Sequence, residues 1–135
     1  MWAVITLLML VMSSAVGTTG TTGLPFQKIR TVNITNNLGA NIELNVHCKS
    51  KKNDLGQHQL PYKGFWSFQF LSNLWETTLF YCSMNWEQIS HSFDIYVEAR
   101  DHVKCVVCQW SIQAKGPCML NRTSQKYDIC YPWNP

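Results

Sequence analysis

Residues 41–50 alternate apolar and polar side chains without a break, and this period of two constrains the fold more than any other stretch of the chain. Such a period is typical of a β-strand with one buried face and one face in water. The apolar face carries Ile42, Leu44, Val46 and Cys48. The stretch therefore predicts a strand whose buried face ends on a cysteine, with the other apolar segments laid beside or across it.

Other short segments are rich in β-forming residues, and several alternate in the same way. We predict further strands at residues 27–35, 64–71, 77–83, 92–99, 105–114 and, as a short last strand, 125–130. Since no segment shows a helical period, we expect an all-β fold, a small antiparallel β-sandwich or barrel of about seven or eight strands.

The segments between the predicted strands are polar or contain turn-forming residues. Residues 36–39 predict a hairpin that joins the strands 27–35 and 41–49. We further predict a loop at 50–61, a connection at 85–90, a charged tip at 100–104 and a turn at 115–117.

The first residues differ from the rest of the chain. An apolar run of roughly a dozen residues is too short to span a membrane comfortably, and small residues follow it. We therefore predict a signal peptide at 1–17, cleaved between 15 and 23, with an uncleaved signal anchor as the alternative. Residues 18–27 are expected to form a flexible mature N-terminus, and residues 28–135 a single domain.

Six cysteines follow the signal segment, and an even number in a secreted chain predicts a disulfide framework of unknown connectivity. They are Cys48, Cys82, Cys105, Cys108, Cys118 and Cys130. Two sequons, at Asn33 and Asn121, predict N-glycans in the same oxidising compartment.

Length and charge limit the classes of function. The chain of 135 residues is 46% hydrophobic, which is enough for one domain with a substantial core, and its net charge is +3. The basic residues are scattered apart from Lys49, Lys51 and Lys52. Because nucleic-acid-binding proteins carry a long basic stripe or patch, we expect no nucleic-acid partner.

The reactive side chains predict neither catalysis nor a cofactor. Cys105 and Cys108 have the spacing of a redox motif, but they open a predicted strand and not a helix. Their odd offset places the two sulfurs on opposite faces of that strand, which favours bonds to different partners. Zinc would need further ligands at matching spacing, and the spacing of the four histidines brings no two together for acid–base chemistry. We expect no metal and no catalytic residue.

Five local motifs follow one another along the chain. They are His47-Cys48-Lys49-Ser50, Asn53-Asp54-Leu55-Gly56, Trp66-Ser67-Phe68-Gln69-Phe70, Thr78-Leu79-Phe80-Tyr81-Cys82 and Cys105-Val106-Val107-Cys108-Gln109-Trp110. In this order and at these distances they closely resemble the plant self-incompatibility protein S1 family, also called the S-protein homologues. The resemblance covers Val32 to about Trp133.

The resemblance implies a small, secreted, disulfide-bonded β-sandwich with a non-enzymatic role. The family takes its name from stigma proteins that act as ligands in pollen rejection and are recognised by a membrane receptor on the pollen. It therefore implies a monomeric extracellular ligand in cell–cell recognition or signalling, with a plasma-membrane receptor as partner. The alternatives are a cell-wall or glycan-binding module and, in a third class, a secreted hydrolase or defence toxin.

The resemblance also divides the cysteines into two groups. Cys48, Cys82, Cys105 and Cys108 match the four that family members usually carry, whereas Cys118 and Cys130 are additional. The simplest implication is that the additional two pair with each other and tie the C-terminal tail back. If Cys118 pairs with one of the other four, the core bridges change as well.

A ligand of this kind would present its recognition residues on loops held by a rigid scaffold. One predicted recognition loop contains Lys51, Lys52, Asn53 and Asp54, and a second contains Arg100, Asp101, His102 and Lys104. His102 would make such a contact sensitive to pH, because an imidazole titrates near pH 6.5.

The aromatic side chains fall into two groups. We expect Trp66, Phe68, Phe70 and Trp110 to be core residues on the apolar sides of their strands. Trp75, Trp86 and Trp133 fall in predicted turns or in the tail. Exposed rings there would stack on sugars or fill a receptor pocket, and the competing prediction is that they cap the open ends of the sandwich.

Overall fold

The computed structural model describes residues 27–73 and 77–135, which form nine strands and one short helix. The strands are β1 (Gln27–Asn36), β2 (Leu44–Lys49), β3 (Asp54–Leu60), β4 (Phe65–Asn73), β5 (Leu79–Trp86), β6 (Ile89–Val97), β7 (Val107–Gln113), β8 (Gly116–Asn121) and β9 (Lys126–Cys130). The helix α1 (Glu98–Asp101) lies between β6 and β7. The predicted signal peptide, most of the predicted flexible N-terminus and Trp75 lie outside the described residues.

The strands form two sheets. Sheet A has the order β4-β1-β7-β8-β9, and sheet B has the order β3-β2-β5-β6. Neighbouring strands are antiparallel except for β1 and β7, which are parallel. The prediction of an all-β, disulfide-bonded sandwich is confirmed, with nine strands in the described residues where about seven or eight were expected.

Alternation along the strands builds the core between the sheets. In β2, Leu44, Val46 and Cys48 are buried while the residues between them are partly exposed. In β1, the inward residues are Val32 and Ile34, both with no exposed surface. Removal of these apolar side chains from water is the dominant force that holds the two sheets together.

The predicted hairpin between the first two strands is wrong. β1 pairs with β4 and β7 in sheet A, whereas β2 pairs with β3 and β5 in sheet B. The connection crosses from one sheet to the other because the buried Asn36 holds both of its ends. Its Nδ2 donates to the carbonyls of Ile42 at 2.7 Å and Leu60 at 2.9 Å, and its Oδ1 accepts from the Leu38 amide at 2.9 Å. Turn residues alone do not say in which sheet the chain continues.

The predicted loop at 50–61 is also wrong, because most of it forms the edge strand β3. The alternation of β3 is interrupted by a bulge, where the register with β2 shifts between His47 and Lys49. Gly56 lies at this irregularity with a φ of +81°, a conformation that glycine adopts without strain. A polar edge strand with a bulge lacks the period of two on which the prediction relied.

Two further boundaries differ from the prediction. Residues 85–90 are not a connection, since β5 continues to Trp86 and β6 begins at Ile89. Glu87 and Gln88 form the two-residue turn, with φ of +45° and +66°. The predicted turn at 115–117 opens β8, a strand that the pattern missed because it begins with Gly116 and Pro117. Gly116 is required there, as an added Cβ would lie 2.2 Å from the Tyr131 carbonyl oxygen.

Three disulfides join Cys48 to Cys82, Cys105 to Cys108 and Cys118 to Cys130. The first and third each join directly opposed residues of neighbouring strands, in sheets B and A respectively. The expectation that Cys105 and Cys108 bond to different partners is wrong. Cys105 precedes β7, which begins at Val107, so the alternation of a strand does not apply to it and the two sulfurs meet.

We predict that the three disulfides stabilise the fold unequally. They close segments of 34, 3 and 12 residues for Cys48–Cys82, Cys105–Cys108 and Cys118–Cys130. Chain entropy assigns them about 4, 1.5 and 3 kcal/mol. Guanidinium unfolding of the three Cys-to-Ala double variants should show this ranking, and the largest loss from the Cys105–Cys108 variant would contradict it.

Candidate functional site

The four residues between β2 and β3, the 50–53 loop, form a closed and exposed tip. The Ser50 amide donates to the Asn53 carbonyl at 2.8 Å, and the Asn53 amide donates to Ser50 Oγ at 3.1 Å. Lys51 and Lys52 project at the tip, and neither has an ion-pair partner among the described residues. The loop therefore presents two free positive charges on a backbone that is already fixed.

The base of this loop is held by a polar clamp on the outer face of the hairpin. His47 Nε2 lies 2.6 Å from Asp54 Oδ1, and the same oxygen accepts a hydrogen bond from the Gly56 amide at 2.9 Å. On the buried face, directly behind, Cys48 is bonded to Cys82. Asp54, predicted as a loop residue, is the first residue of β3.

The clamp lowers the pKa of the exposed Asp54 carboxyl below its usual range. The largest cause is the hydrogen bond from the Gly56 amide, followed by the one from His47. Both bonds favour the charged form of the carboxyl. Asp54 therefore keeps its negative charge to a lower pH than an unperturbed aspartate does.

The second predicted recognition loop is not a loop at Arg100 and Asp101. Both residues belong to α1, and Asp101 has no exposed surface. Arg100 Nε and Nη2 donate to Asp101 Oδ1 and Oδ2 at 2.7 and 2.8 Å, in a two-point ion pair. The Asp101 Oδ2 also accepts from the Val97 amide at 2.9 Å.

The guanidinium of Arg100 lies close to three aromatic rings, and 20% of the Arg100 side chain remains exposed. It lies 5.1 Å from the ring centre of Phe93, 5.5 Å from that of Trp110 and 4.7 Å from that of Tyr131. Such contacts stabilise a desolvated cation. The fully buried Asp101 is not accessible to a receptor, contrary to the prediction. Arg100 remains partly exposed, and its contact with Tyr131 joins α1 to the C-terminal tail.

The other two residues of the second predicted recognition loop, His102 and Lys104, have hydrogen-bond partners within the protein. His102 Nδ1 lies 2.8 Å from the Glu98 carbonyl oxygen, and Lys104 Nζ donates to the Tyr131 hydroxyl at 2.8 Å. Since β2 and β6 run in the same direction, His102 and the 50–53 loop lie at the same end of sheet B, with β5 between them. Of the two predicted recognition loops, only the 50–53 loop presents charged side chains without a partner among the described residues.

Two of the three tryptophans predicted in turns or in the tail, Trp86 and Trp133, pack against the protein. Trp86 lies in β5 and is 5% exposed. Trp133 stacks on His91 with ring centres 4.8 Å apart, and its Nε1 donates to the Ala114 carbonyl at 3.0 Å. These two rings cap one end of the sandwich, as the competing prediction proposed.

A cavity of about 780 Å³ adjoins the 50–53 loop. It is lined by the 50–53 loop, by Leu55 of β3, by the end of β4 and by residues 77–81 at the beginning of β5. Leu55, Phe70, Leu79 and Phe80 form its apolar walls, and Lys51 and Lys52 stand at its rim. The sequence did not predict it, because the walls come from strands of different sheets that are far apart in the chain.

Residues 27–73 and 77–135 contain no group of three or more side chains that could hold a metal ion. Within the same residues, no helix is long and apolar enough to cross a membrane.

We predict that the Asp54 carboxyl titrates below pH 3.8, the ordinary value for aspartate, and that Gly56→Ala raises its midpoint. A side chain at the left-handed φ of Gly56 displaces the donating amide. Because the folded pKa is depressed, the contribution of Asp54 to stability is full above the unfolded pKa and lost as pH falls through the folded one. Carboxyl ¹³C NMR titration measures this, and a midpoint at or above the ordinary value is the contrary result.

We predict that Arg100→Gln lowers the free energy of unfolding by about 3 kcal/mol, because it leaves the buried Asp101 carboxylate without its cation. Arg100→Lys should recover part of the loss, since an ammonium keeps the charge but not the two-point geometry. Lys126→Gln, at an exposed position, is the matched control and should change stability by less than about 0.5 kcal/mol. Equal losses for Arg100→Gln and Lys126→Gln in urea unfolding would show that the ion pair is not structural.

Comparison with known proteins agrees with this architecture. The family profile described as plant self-incompatibility protein S1 matches residues 31–133. S-protein homolog 3 of Arabidopsis thaliana is 46% identical over 107 residues, which cover 76% of this chain and 71% of that protein. S-protein homolog 5 of the same plant is 44% identical and covers 81% of each chain.

A solved structure gives the same fold at lower sequence identity. It is described as that of self-incompatibility protein homologue (SPH) proteins, "a widespread family of small, highly stable, secreted proteins from plants". Its TM-score is 0.55 at 18% identity, over 80% of this chain and 96% of that chain. The family profile matches far more than half of the chain, and the sequence identities to these relatives are high enough to establish family membership. The chain belongs to the plant self-incompatibility protein S1 family.

Proposed function

We propose that this protein is a secreted, non-enzymatic ligand that binds a plasma-membrane receptor of plant cells in cell–cell recognition or signalling. The observation that carries the proposal is the 50–53 loop. It is exposed, its backbone is closed by two hydrogen bonds, and its two lysines have no partner among the described residues.

A fixed loop is suited to binding because little conformational freedom remains to be lost when a partner docks. The polar clamp of Asp54 and the Cys48–Cys82 disulfide hold the base of the loop from opposite faces of β2. The free charges of Lys51 and Lys52 favour an acidic surface on the receptor and speed its approach.

The extracellular location is supported by chemistry and by similarity. The six cysteines are all paired, which requires an oxidising compartment. The structural neighbour is described as a secreted plant protein. We therefore place this chain outside the cell, where a receptor on a facing plasma membrane can reach its loop.

We predict that the labelled, oxidised protein binds plasma-membrane vesicles from plant tissue saturably, and that Lys51→Glu/Lys52→Glu weakens this binding at least tenfold. Lys115→Glu/Lys126→Glu changes the net charge equally at exposed positions far along the chain and should leave the affinity within about twofold. Equal losses of affinity in both double variants would show that binding depends on net charge and not on the loop. Unchanged binding by the loop variant would remove the loop from the interface.

The two sequons occupy different settings, and we propose that only Asn121 carries a glycan. Asn121 begins an exposed turn, and its Oδ1 accepts from the Thr123 amide at 2.9 Å, which leaves Nδ2 free to be modified. Asn33 lies in β1 between β4 and β7, and its Oδ1 is buried. Its side chain projects from the outer face of a central strand, flanked by Ser67 and Gln109, so a glycan there would lie against neighbouring strands on both sides.

We therefore predict that enzymatic removal of N-glycans changes the mass of the protein secreted by plant cells by one glycan. Asn121→Gln should abolish that change, and Asn33→Gln should leave it intact. Intact-mass spectrometry of both variants measures this, and loss of the glycan in Asn33→Gln alone is the opposite outcome.

A further inference from the structure

We propose that the cavity beside the 50–53 loop binds a small anionic amphiphile, a molecule with one acyl-length apolar chain and a carboxylate or similar anionic head. This goes beyond the proposed role as a receptor ligand, because the cavity can be filled without any protein partner.

The cavity results from incomplete closure between two edge strands. At one end of the seam between β3 and β4, His58 stacks on Trp66 with ring centres 3.9 Å apart and closes the gap. At the other end, Phe70 packs on Phe80 with ring centres 4.5 Å apart, and both residues line the cavity. The seam is therefore sealed on one side and open beside the 50–53 loop.

The size and walls of the cavity fit the apolar part of such a ligand. A volume of about 780 Å³ lies within the range of small-molecule sites, which is roughly 300–1,000 Å³. Leu55, Phe70, Leu79 and Phe80 supply aliphatic and aromatic surface. Two of the lining residues expose apolar surface, Leu79 at 37% and Leu71 at 55%. A bound chain would cover this surface and remove it from water.

The charge at the rim selects the head group. Lys51 and Lys52 are both lining residues, and none of the described lining residues is acidic. Both ammonium groups are exposed and have no ion-pair partner in the described part of the chain. An anionic head can therefore lie between them while the chain points toward Phe70 and Phe80, whereas a cationic head is repelled.

The test uses the oxidised, secreted protein and three probes with the same ten-carbon chain, decanoate, decanol and decyltrimethylammonium. The two charged probes are kept below their critical micelle concentrations and decanol below its solubility limit. Isothermal titration calorimetry at low salt should show decanoate binding at least fivefold more tightly than decanol, and the cation most weakly. High salt should remove the advantage of decanoate and leave decanol unchanged.

Two variants distinguish the contribution of the anionic head group to binding from that of the apolar chain. Lys51→Gln/Lys52→Gln should weaken decanoate about five- to tenfold and leave decanol unaffected, because exposed charge pairs contribute modestly. Leu79→Gln, at a partly exposed position, should weaken both probes about threefold or more. Lys115→Gln/Lys126→Gln is the matched control and should change neither.

Backbone amide NMR locates the site in the same samples. Decanoate should shift the amides of residues 50–55, 69–71 and 77–81 and leave those of β8 and β9 unmoved. The proposal is overturned if decanoate and decanol bind equally, if neither binds, or if the shifts lie outside the cavity. Each of these outcomes leaves vesicle binding through the loop intact, so the two proposals fail separately.

Discussion

The bond between Cys48 and Cys82 ties the core of this protein to its exposed end. It joins directly opposed residues of β2 and β5, at the end of sheet B where the 50–53 loop leaves the strand. The two sulfurs are fully buried, so the same residues contribute to the core and anchor the base of the loop. Behind these sulfurs lie the packed faces of the two sheets, and ahead of them lies the loop that carries Lys51 and Lys52.

A second constraint holds the opposite edge of sheet B. The ion pair of Arg100 and Asp101, close to Phe93, Trp110 and Tyr131, joins α1, the core and the C-terminal tail. The pKa of the Tyr96 hydroxyl is raised, first by burial and then by the neighbouring Glu98 carboxylate. The hydroxyl donates a hydrogen bond to Glu98 Oε1 at 3.0 Å. The polar side chains of Tyr96, Glu98 and Asp101 at this edge are bonded within the protein, whereas the cavity beside the 50–53 loop adjoins free lysines.

The sequence predicts the fold class well and the pairing of strands poorly. Alternation at Val32, Ile34, Leu44 and Val46 identifies inward faces, because burial of one face is what selects that pattern. It cannot say which sheet a strand joins, and Asn36 decides this through bonds to distant carbonyls. The polar edge strand β3 and the proline-containing β8 escape the pattern for local reasons that only pairing reveals.

The candidate site was predicted in part. Lys51, Lys52 and Asn53 lie on an exposed loop, where their polarity places them. Arg100 and Asp101 look equally polar in the sequence, but they neutralise each other in the interior. Charge in a sequence does not distinguish a free side chain from a paired one. The cavity could not be predicted from the sequence, because Leu55, Phe70 and Leu79 are far apart in the chain and come together only in the folded structure.

The proposed receptor-binding surface is the end of the sandwich at the 50–53 loop. Hydrogen–deuterium exchange of the protein on plant plasma-membrane vesicles tests this most directly, since it maps the contact without substitutions. We expect slower exchange at residues 50–55 and 77–79 on binding, with the rest of the described chain unchanged. Protection confined to the β8–β9 turn or to the outer face of sheet A, with the loop exchanging as in free solution, would contradict the account.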